Sequence, residues 1–190
     1  MKINFVYSRV YDELLHRYIK KELSELFIKE MLLFNEEFEA FWEKDGKKII
    51  SNIEKISRLK FKGNKNCYLV SNMFYAAISE PLTLRKENLI DMKMRLIHEL
   101  VHILISDNYN KLNDLINRIY PEESVEFRTH IPVLLITRKV VENIFGERSF
   151  KELLDKDMKI ELRCIWPEVN SIYPKFKGDI VRFLKNEKFY

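Results

Sequence analysis

The sequence contains little glycine, little proline and almost no cysteine, with 4 Gly, 5 Pro and 2 Cys among 190 residues. Scarcity of the two helix-breaking residues favours a largely helical chain. The cysteines, Cys67 and Cys164, lie far apart and neither has a CxxC partner. This spacing excludes a disulfide framework of the kind found in small secreted domains, and we expect a reduced, cytoplasmic protein.

Long apolar runs are also missing, because no stretch approaches the roughly 20 apolar residues that a membrane-spanning helix needs. The N-terminus lacks the basic-then-apolar layout of a signal peptide. Lysine and arginine form no block long enough to predict nucleic-acid binding, and the net charge is only +4. We therefore expect no membrane and no nucleic-acid partner, while the oligomeric state stays open.

The sequence does contain enough apolar surface for a core, since 46% of its residues are hydrophobic. The length predicts one domain, residues 1–190, with residues 147–190 as a helical C-terminal extension. Apolar periodicity predicts an α+β fold in which a small sheet is followed by a mainly helical half. The predicted strands are 2–7, 66–72 and 75–84, the last bent at Pro81. The predicted helices are 10–34, 36–59 with an interruption near Gly46, 88–105, 111–120, 121–146 with a kink or break at Pro132, and two further patches around Leu153 and Val181.

The clearest chemical signal is an HExxH pattern, His98-Glu99-Leu100-Val101-His102, inside the predicted helix 88–105. Positions i and i+4 lie on one helical face, about 6 Å apart, so both imidazoles can bind one metal ion. Apolar residues surround the motif, and burying two histidines and a glutamate there would be costly without a compensating partner. The pattern therefore predicts one Zn²⁺ per chain, held by His98 and His102.

Glu99 follows the first histidine directly and can reach a zinc-bound water without becoming a ligand. Zinc lowers the pKa of such a water to about 7, and Glu99 would accept its proton during attack on a carbonyl group. The same group could then pass the proton to the departing amine. These roles predict a zinc-dependent peptidase that hydrolyses a peptide or an unfolded protein, with Glu99 as a catalytic residue.

A catalytic zinc ion usually has three protein ligands. No third histidine follows the motif closely and no cysteine is nearby, so a carboxylate from the next long helix is the natural candidate. Glu122, Glu123 and Glu126 all lie near the start of that helix. His130 can share a face with Glu123 or Glu126, and it is predicted either to hydrogen-bond a ligand or stabilise the oxyanion, or to be a core histidine.

The motif, followed about twenty residues later by a helix-borne glutamate, resembles the gluzincin branch of zinc metallopeptidases, and the short chain resembles the minigluzincins. The resemblance covers about residues 66–146 and implies a zincin-like fold in which the glutamate helix supplies the third zinc ligand. The family spacing favours Glu123, 21 positions after His102, over Glu126, 24 positions after it. A weaker similarity, to metallopeptidases associated with phage-repressor cleavage, rests on Phe127 four residues after Glu123.

By the same resemblance, part of residues 66–72 or 75–79 binds extended substrate, with ordinary sheet strands as the alternative. Two other functions stay open. One is a zinc-binding pseudoenzyme or latent peptidase that acts as an interaction protein, its cleft blocked by its own tail, residues 151–190. The other is a helical interaction protein without metal, in which the pentapeptide is accidental. Glu99 favours catalysis, because a purely structural site needs the histidines but not that carboxylate.

Overall fold

A computed structural model describes residues 1–18, 20–151 and 162–186 of the chain. These residues form an α+β structure, as expected, with a small sheet and a larger helical part. The strands are β1 Ile3–Tyr7, β2 Lys65–Val70, β3 Ala77–Ser79 and β4 Leu82–Arg85. The helices are α1 Arg9–Tyr18, α2 Glu25–Ser57, α3 Leu89–Asp107, α4 Tyr109–Arg118, α5 Val125–Phe145, α6 Trp166–Ile172 and α7 Ile180–Asn186, with a short 3-10 helix at Tyr173–Lys175.

The four strands form one mixed sheet in the order β1-β2-β4-β3. β1, β2 and β4 are parallel, with Phe5 opposite Cys67 and Leu69 opposite Leu84, whereas β3 is antiparallel to β4. The single bent strand predicted for residues 75–84 is wrong, because β3 and β4 are two strands that turn at Pro81. Proline cannot donate a hydrogen bond to the ladder, which suits a turn better than a strand interior.

The helix predicted for residues 10–34 is also wrong, because α1 ends at Tyr18 and α2 begins at Glu25. Lys20 has a left-handed φ of 56°, and the N–H of Lys21 donates to the carbonyl of His16, which closes the end of α1. The Ser24 hydroxyl accepts the N–H of Phe27, 3.3 Å away, at the start of α2. The apolar spacing that suggested one long helix does not mark a buried face in α1, whose buried residues are Asp12 and His16 and whose Val10, Leu14 and Tyr18 are exposed.

α2 runs without interruption through Gly46, so the predicted interruption there is wrong. A Cβ placed on Gly46 would lie 2.4 Å from the indole ring of Trp42, one turn earlier. Such a distance is far inside van der Waals contact. Glycine at this position therefore makes room for an aromatic ring, and it does not end the helix.

α5 begins at Val125 and continues through Pro132, so of the kink or break predicted there the break is not found. Residues 131–137 are all buried, and this packing offsets the hydrogen bond that proline cannot donate. The Ser124 hydroxyl caps the first turn by accepting the N–H of Phe127, 3.1 Å away. Pro121 therefore precedes the helix instead of lying in its first turn. Gly146, with φ of 89°, follows the last residue as expected.

The described chain divides into two compact units. The first, Met1–Lys48 with Lys62–Leu100, contains the sheet and α1; the second, Ile49–Phe61 with Val101–Tyr190, contains α4 to α7. The division falls within α2, after Lys48, and within α3, after Leu100, so each of these helices contributes to both units. Of the predicted tail helices, the one around Val181 is confirmed by α7, and the one around Leu153 lies outside the described residues. Within the described part of the chain, no helix combines the length and apolar character needed to cross a membrane.

Candidate metal centre

α3 is the helix that carries the HExxH pattern, and its position is set at both ends. The side chain of Asn88 accepts the N–H of Asp91, 3.0 Å away, and so caps the first turn. Asn108 donates its side-chain amide to the carbonyls of Leu104 and Lys60, both 2.8 Å away, just beyond the last turn. The helix is buried around most of its circumference near the motif, through Leu96, Ile97, Leu100, Val101, Ile103 and Leu104.

His98 and His102 lie one turn apart on α3 and are half-buried. Together with His130 of α5 they form a group in which one ring nitrogen of each residue lies within 4.8 Å of the others. The rings of His102 and His130 meet edge to face, with centroids 4.8 Å apart. Three imidazoles that converge in this way can each direct one nitrogen to a single metal ion.

His130 is oriented by its own helix. Its Nδ1 lies 2.8 Å from the backbone carbonyl oxygen of Glu126, one turn earlier on α5. Because a carbonyl only accepts, Nδ1 carries the proton and Nε2 is the unprotonated nitrogen in the neutral ring. A backbone carbonyl that receives one imidazole nitrogen while the other is directed at a metal is the usual arrangement of metal-binding histidines.

Burial lowers the pKa of His102 to about 4, and the neighbouring His130 adds to the effect. A neutral imidazole at physiological pH is the form that binds a metal ion, since the protonated ring has no lone pair to offer. The environment of His102 therefore keeps its ring in the neutral form that can bind a metal ion.

Glu99 lies between the two α3 histidines in sequence and is buried, with 8% of its surface exposed. Burial raises the pKa of its carboxyl to about 7, while the charge of Arg95 and a hydrogen bond from the side chain of Ser79 act in the opposite direction. Arg95 lies one turn earlier on α3, and Ser79 is the last residue of β3. The carboxyl group therefore has a pKa close to physiological pH, where it can both accept and release a proton.

The two glutamates predicted as third ligand lie outside the histidine group. Glu123 is exposed in the turn before α5, where its N–H donates to the carbonyl of Tyr120, 2.9 Å away. Glu126 is exposed in the first turn of α5, and it reaches the centre through its backbone carbonyl, which holds His130. The structure thus brings His130 to His98 and His102 and brings neither carboxylate with it.

Ser79, by a hydrogen bond, and Arg95, by its charge, both act on Glu99, and sequence analysis singled out neither. Ser79 fell only within the broad range 75–79, and Arg95 was part of a helix with no assigned role. Arg95 could have been found from its i, i+4 spacing to Glu99. Ser79 could not, because a strand residue twenty positions away meets the helix only after folding.

The residues of this group fit a transition-metal ion by the chemistry of their donors. Three imidazole nitrogens suit zinc, copper, iron or nickel and do not suit calcium or magnesium, which prefer oxygen. Three histidines with a fourth position left to water form one of the known donor sets of catalytic zinc. His98, His102 and His130 could therefore hold a metal ion, and their three imidazoles restrict it to the transition metals that bind nitrogen.

Comparison of the chain with protein-family models, with curated protein sequences and with solved structures found no match.

Proposed function

We propose that this chain is a zinc-dependent peptidase in which His98, His102 and His130 hold the metal ion and Glu99 is the general base. The observation that carries the proposal is the environment of Glu99. A buried carboxyl with a pKa raised to about 7 sits on the same helix as two of three converging histidines. A site that only binds metal has no use for this carboxyl, and burying it costs stability.

The proposed role of Glu99 is to take a proton from the attacking water and to return it to the leaving amine. A general base works best when its pKa lies near the operating pH, and burial brings the pKa of Glu99 into that range. The hydrogen bond from Ser79 would hold the carboxyl in one orientation while the proton moves. When bound, zinc would supply a Lewis acid that polarises the substrate carbonyl and acidifies water.

The proposed place for the peptide substrate is the outer edge of β3. β2 pairs with β1 on one side and β4 on the other, so its residues, 65–70, leave no edge to which an extended peptide could add. In the described sheet β3 pairs with β4 alone, which leaves its other edge for strand addition. Ser79 ends β3 and hydrogen-bonds Glu99, so a peptide on this edge would pass the proposed base. This supports a zincin-like arrangement.

The decisive experiment measures zinc content and hydrolysis together. Wild-type protein should bind about one zinc ion per chain and cleave members of an unstructured peptide library. Glu99→Gln should keep the zinc and lose cleavage by at least about 100-fold, because general-base catalysis contributes about that much. Glu36→Gln, an exposed carboxylate on α2, is the matched control and should change neither quantity.

Two results would contradict the proposal. Cleavage that continues at the wild-type rate in Glu99→Gln would remove the general base from the mechanism. Stoichiometric zinc without cleavage of any library member would favour a metal-binding pseudoenzyme instead.

A further inference from the structure

A basic cavity of about 580 Å³ lies in the second unit and shares no residue with the metal centre. Its wall comes from the end of α2, the last two turns of α5 and the segment from the 3-10 helix through α7. Six of the lining residues are cationic and one is acidic; the cations are Lys55, Arg58, Lys139, Lys175, Lys177 and Arg182. The size falls in the range of small-molecule sites.

The lining of this cavity has a strong excess of positive over negative charge. Six of the chain's 33 lysines and arginines line the wall, but only one of its 29 aspartates and glutamates does. The lining thus carries more positive charge than the whole chain's net +4. The one acid, Asp179, is engaged locally, since its carboxylate accepts the N–H of Arg182, 3.0 Å away, at the start of α7.

Gathering these cations costs free energy through their mutual repulsion, and three of them have no carboxylate partner among the described residues. Lys55, Arg58 and Arg182 are exposed, and none of them has a side-chain ion pair with a described residue. Lys177 donates to the backbone carbonyl of Pro174, 2.9 Å away, and not to a carboxylate. A solvated surface usually intersperses charges of both signs, so the pattern points to an anionic partner.

A backbone hydrogen bond connects two of the segments that line the cavity. The N–H of Asp179 donates to the carbonyl of Ile56, 2.6 Å away, which joins the segment before α7 to the last turns of α2. Gly178 has φ of 81°, and a Cβ there would lie 3.3 Å from the same Ile56 oxygen. The glycine therefore permits a close approach of two backbones, and this approach sets the distance between Lys55 and Arg58 on one side and Arg182 on the other.

We propose that this cavity binds a small molecule carrying two or more phosphate groups. Each phosphate carries a charge of about −1.5 to −2 near pH 7, so two or three of them match the excess positive charge of the lining. Arginine offers paired N–H donors to phosphate oxygens, and lysine adds point charge. Asn52, Asn143 and Asn186 add neutral polar groups to the lining. A cavity of this volume accommodates a compact ligand, which favours a small polyanion over an extended nucleic-acid strand.

The test uses inorganic tripolyphosphate as the first probe and ATP as the second, by titration calorimetry near physiological ionic strength. We expect saturable binding of one probe molecule per chain and a higher melting temperature. Equal affinities for the two probes would show that the cavity recognises the phosphate chain. Tighter binding of ATP would show that it also recognises the nucleoside. Either result supports the proposal.

Matched charge variants separate the cavity from general electrostatic attraction. The pair Lys55→Gln with Arg182→Gln should weaken binding of tripolyphosphate at least about 10-fold, since charge-assisted hydrogen bonds are lost. The pair Lys29→Gln with Lys44→Gln removes the same charge from exposed positions on α2 that do not line the cavity, and should change the affinity less than about 2-fold. Both pairs keep all three histidines, so extraction of metal by the probe would affect them alike.

Folding is monitored without ligand by circular dichroism, and each substitution is also made singly, because Lys55 and Arg182 are exposed and each should be tolerated. Three results would overturn the proposal: no binding of either probe, equal weakening in the two pairs of variants, or tighter binding of a single-stranded oligonucleotide than of either probe through the same residues. The last result would assign the surface to nucleic acid.

Discussion

The Nδ1–H of His130 donates a hydrogen bond to the backbone carbonyl oxygen of Glu126, 2.8 Å away. This bond gives one residue of the predicted glutamate helix a part in the metal centre through its main chain. It also leaves Nε2 as the unprotonated ring nitrogen of a neutral His130, which belongs to one group with His98 and His102. A histidine can therefore occupy the place for which a carboxylate was predicted.

The first prediction separates His130 from the two glutamates as the third ligand. His130→Ala should weaken zinc binding by at least about 100-fold, because an imidazole ligand is lost together with the geometry it imposes. Glu123→Gln and Glu126→Gln should bind zinc within about 3-fold of wild type, because both side chains are exposed and the Glu126 carbonyl is unchanged by substitution. Competition titrations with a chromophoric chelator give the three affinities. A large loss of affinity in Glu123→Gln with near-normal binding in His130→Ala would show that Glu123, and not His130, is the third ligand.

The second prediction concerns pH and the metal-free protein. Below about pH 4.5, Glu99 is protonated in the folded and the unfolded state. Between there and about pH 7 the unfolded state releases its proton while the folded state retains it, so Glu99 lowers the stability of the folded protein as pH rises. Glu99→Gln removes this penalty. The substitution should therefore raise the free energy of unfolding more at pH 8 than at pH 4, by at most about 3 kcal/mol.

Urea unfolding of both proteins with a chelator present measures this difference at each pH. The contribution of His102 is common to the two proteins and cancels in the comparison. A difference between wild type and Glu99→Gln that stays constant from pH 4 to pH 8 would show that Glu99 does not have a raised pKa.

The third prediction tests the contact between Gly46 and Trp42. Gly46→Ala places a methyl group 2.4 Å from the indole and should destabilise the protein by about 1–3 kcal/mol, despite the better helix propensity of alanine. Ser51→Ala, at an exposed position of the same helix, is the control and should be neutral or slightly stabilising. Trp42→Phe should reduce the cost of Gly46→Ala when the two are combined. A Gly46→Ala protein as stable as wild type would show that the ring moves aside freely.

The fourth prediction uses the two thiols. Cys67 is buried in β2, and burial together with the nearby Glu99 carboxylate raises the pKa of its thiol, whereas Cys164 is exposed. Native protein should therefore incorporate about one equivalent of a thiol reagent at neutral pH. Cys164→Ser should incorporate almost none until the protein is unfolded, when Cys67 reacts. Rapid labelling of native Cys164→Ser would show that the strand around Cys67 opens readily.

The sequence by itself determined the features that depend only on residues close together along the chain. β1, β2 and α3 are confirmed near their predicted positions, because alternation and helical periodicity reflect one buried face over a few consecutive residues. The i, i+4 relation of His98 and His102 follows from helix geometry alone. Gly146 ends α5 as expected, because its left-handed φ suits glycine.

Only tertiary structure decided the features that depend on distant residues. His130 is 28 positions from His102, on another helix, and the two rings meet only in the folded chain, as Ser79 of β3 meets Glu99 of α3. Gly46 was predicted to interrupt a helix and Pro132 to kink or break one, yet each lies in a continuous helix. An aromatic ring in the first case and a buried segment in the second outweigh intrinsic propensity. The basic cavity likewise unites three segments whose charges look like ordinary solvated lysines and arginines in the sequence, since electrostatic potential depends on distance in space and not on separation along the chain.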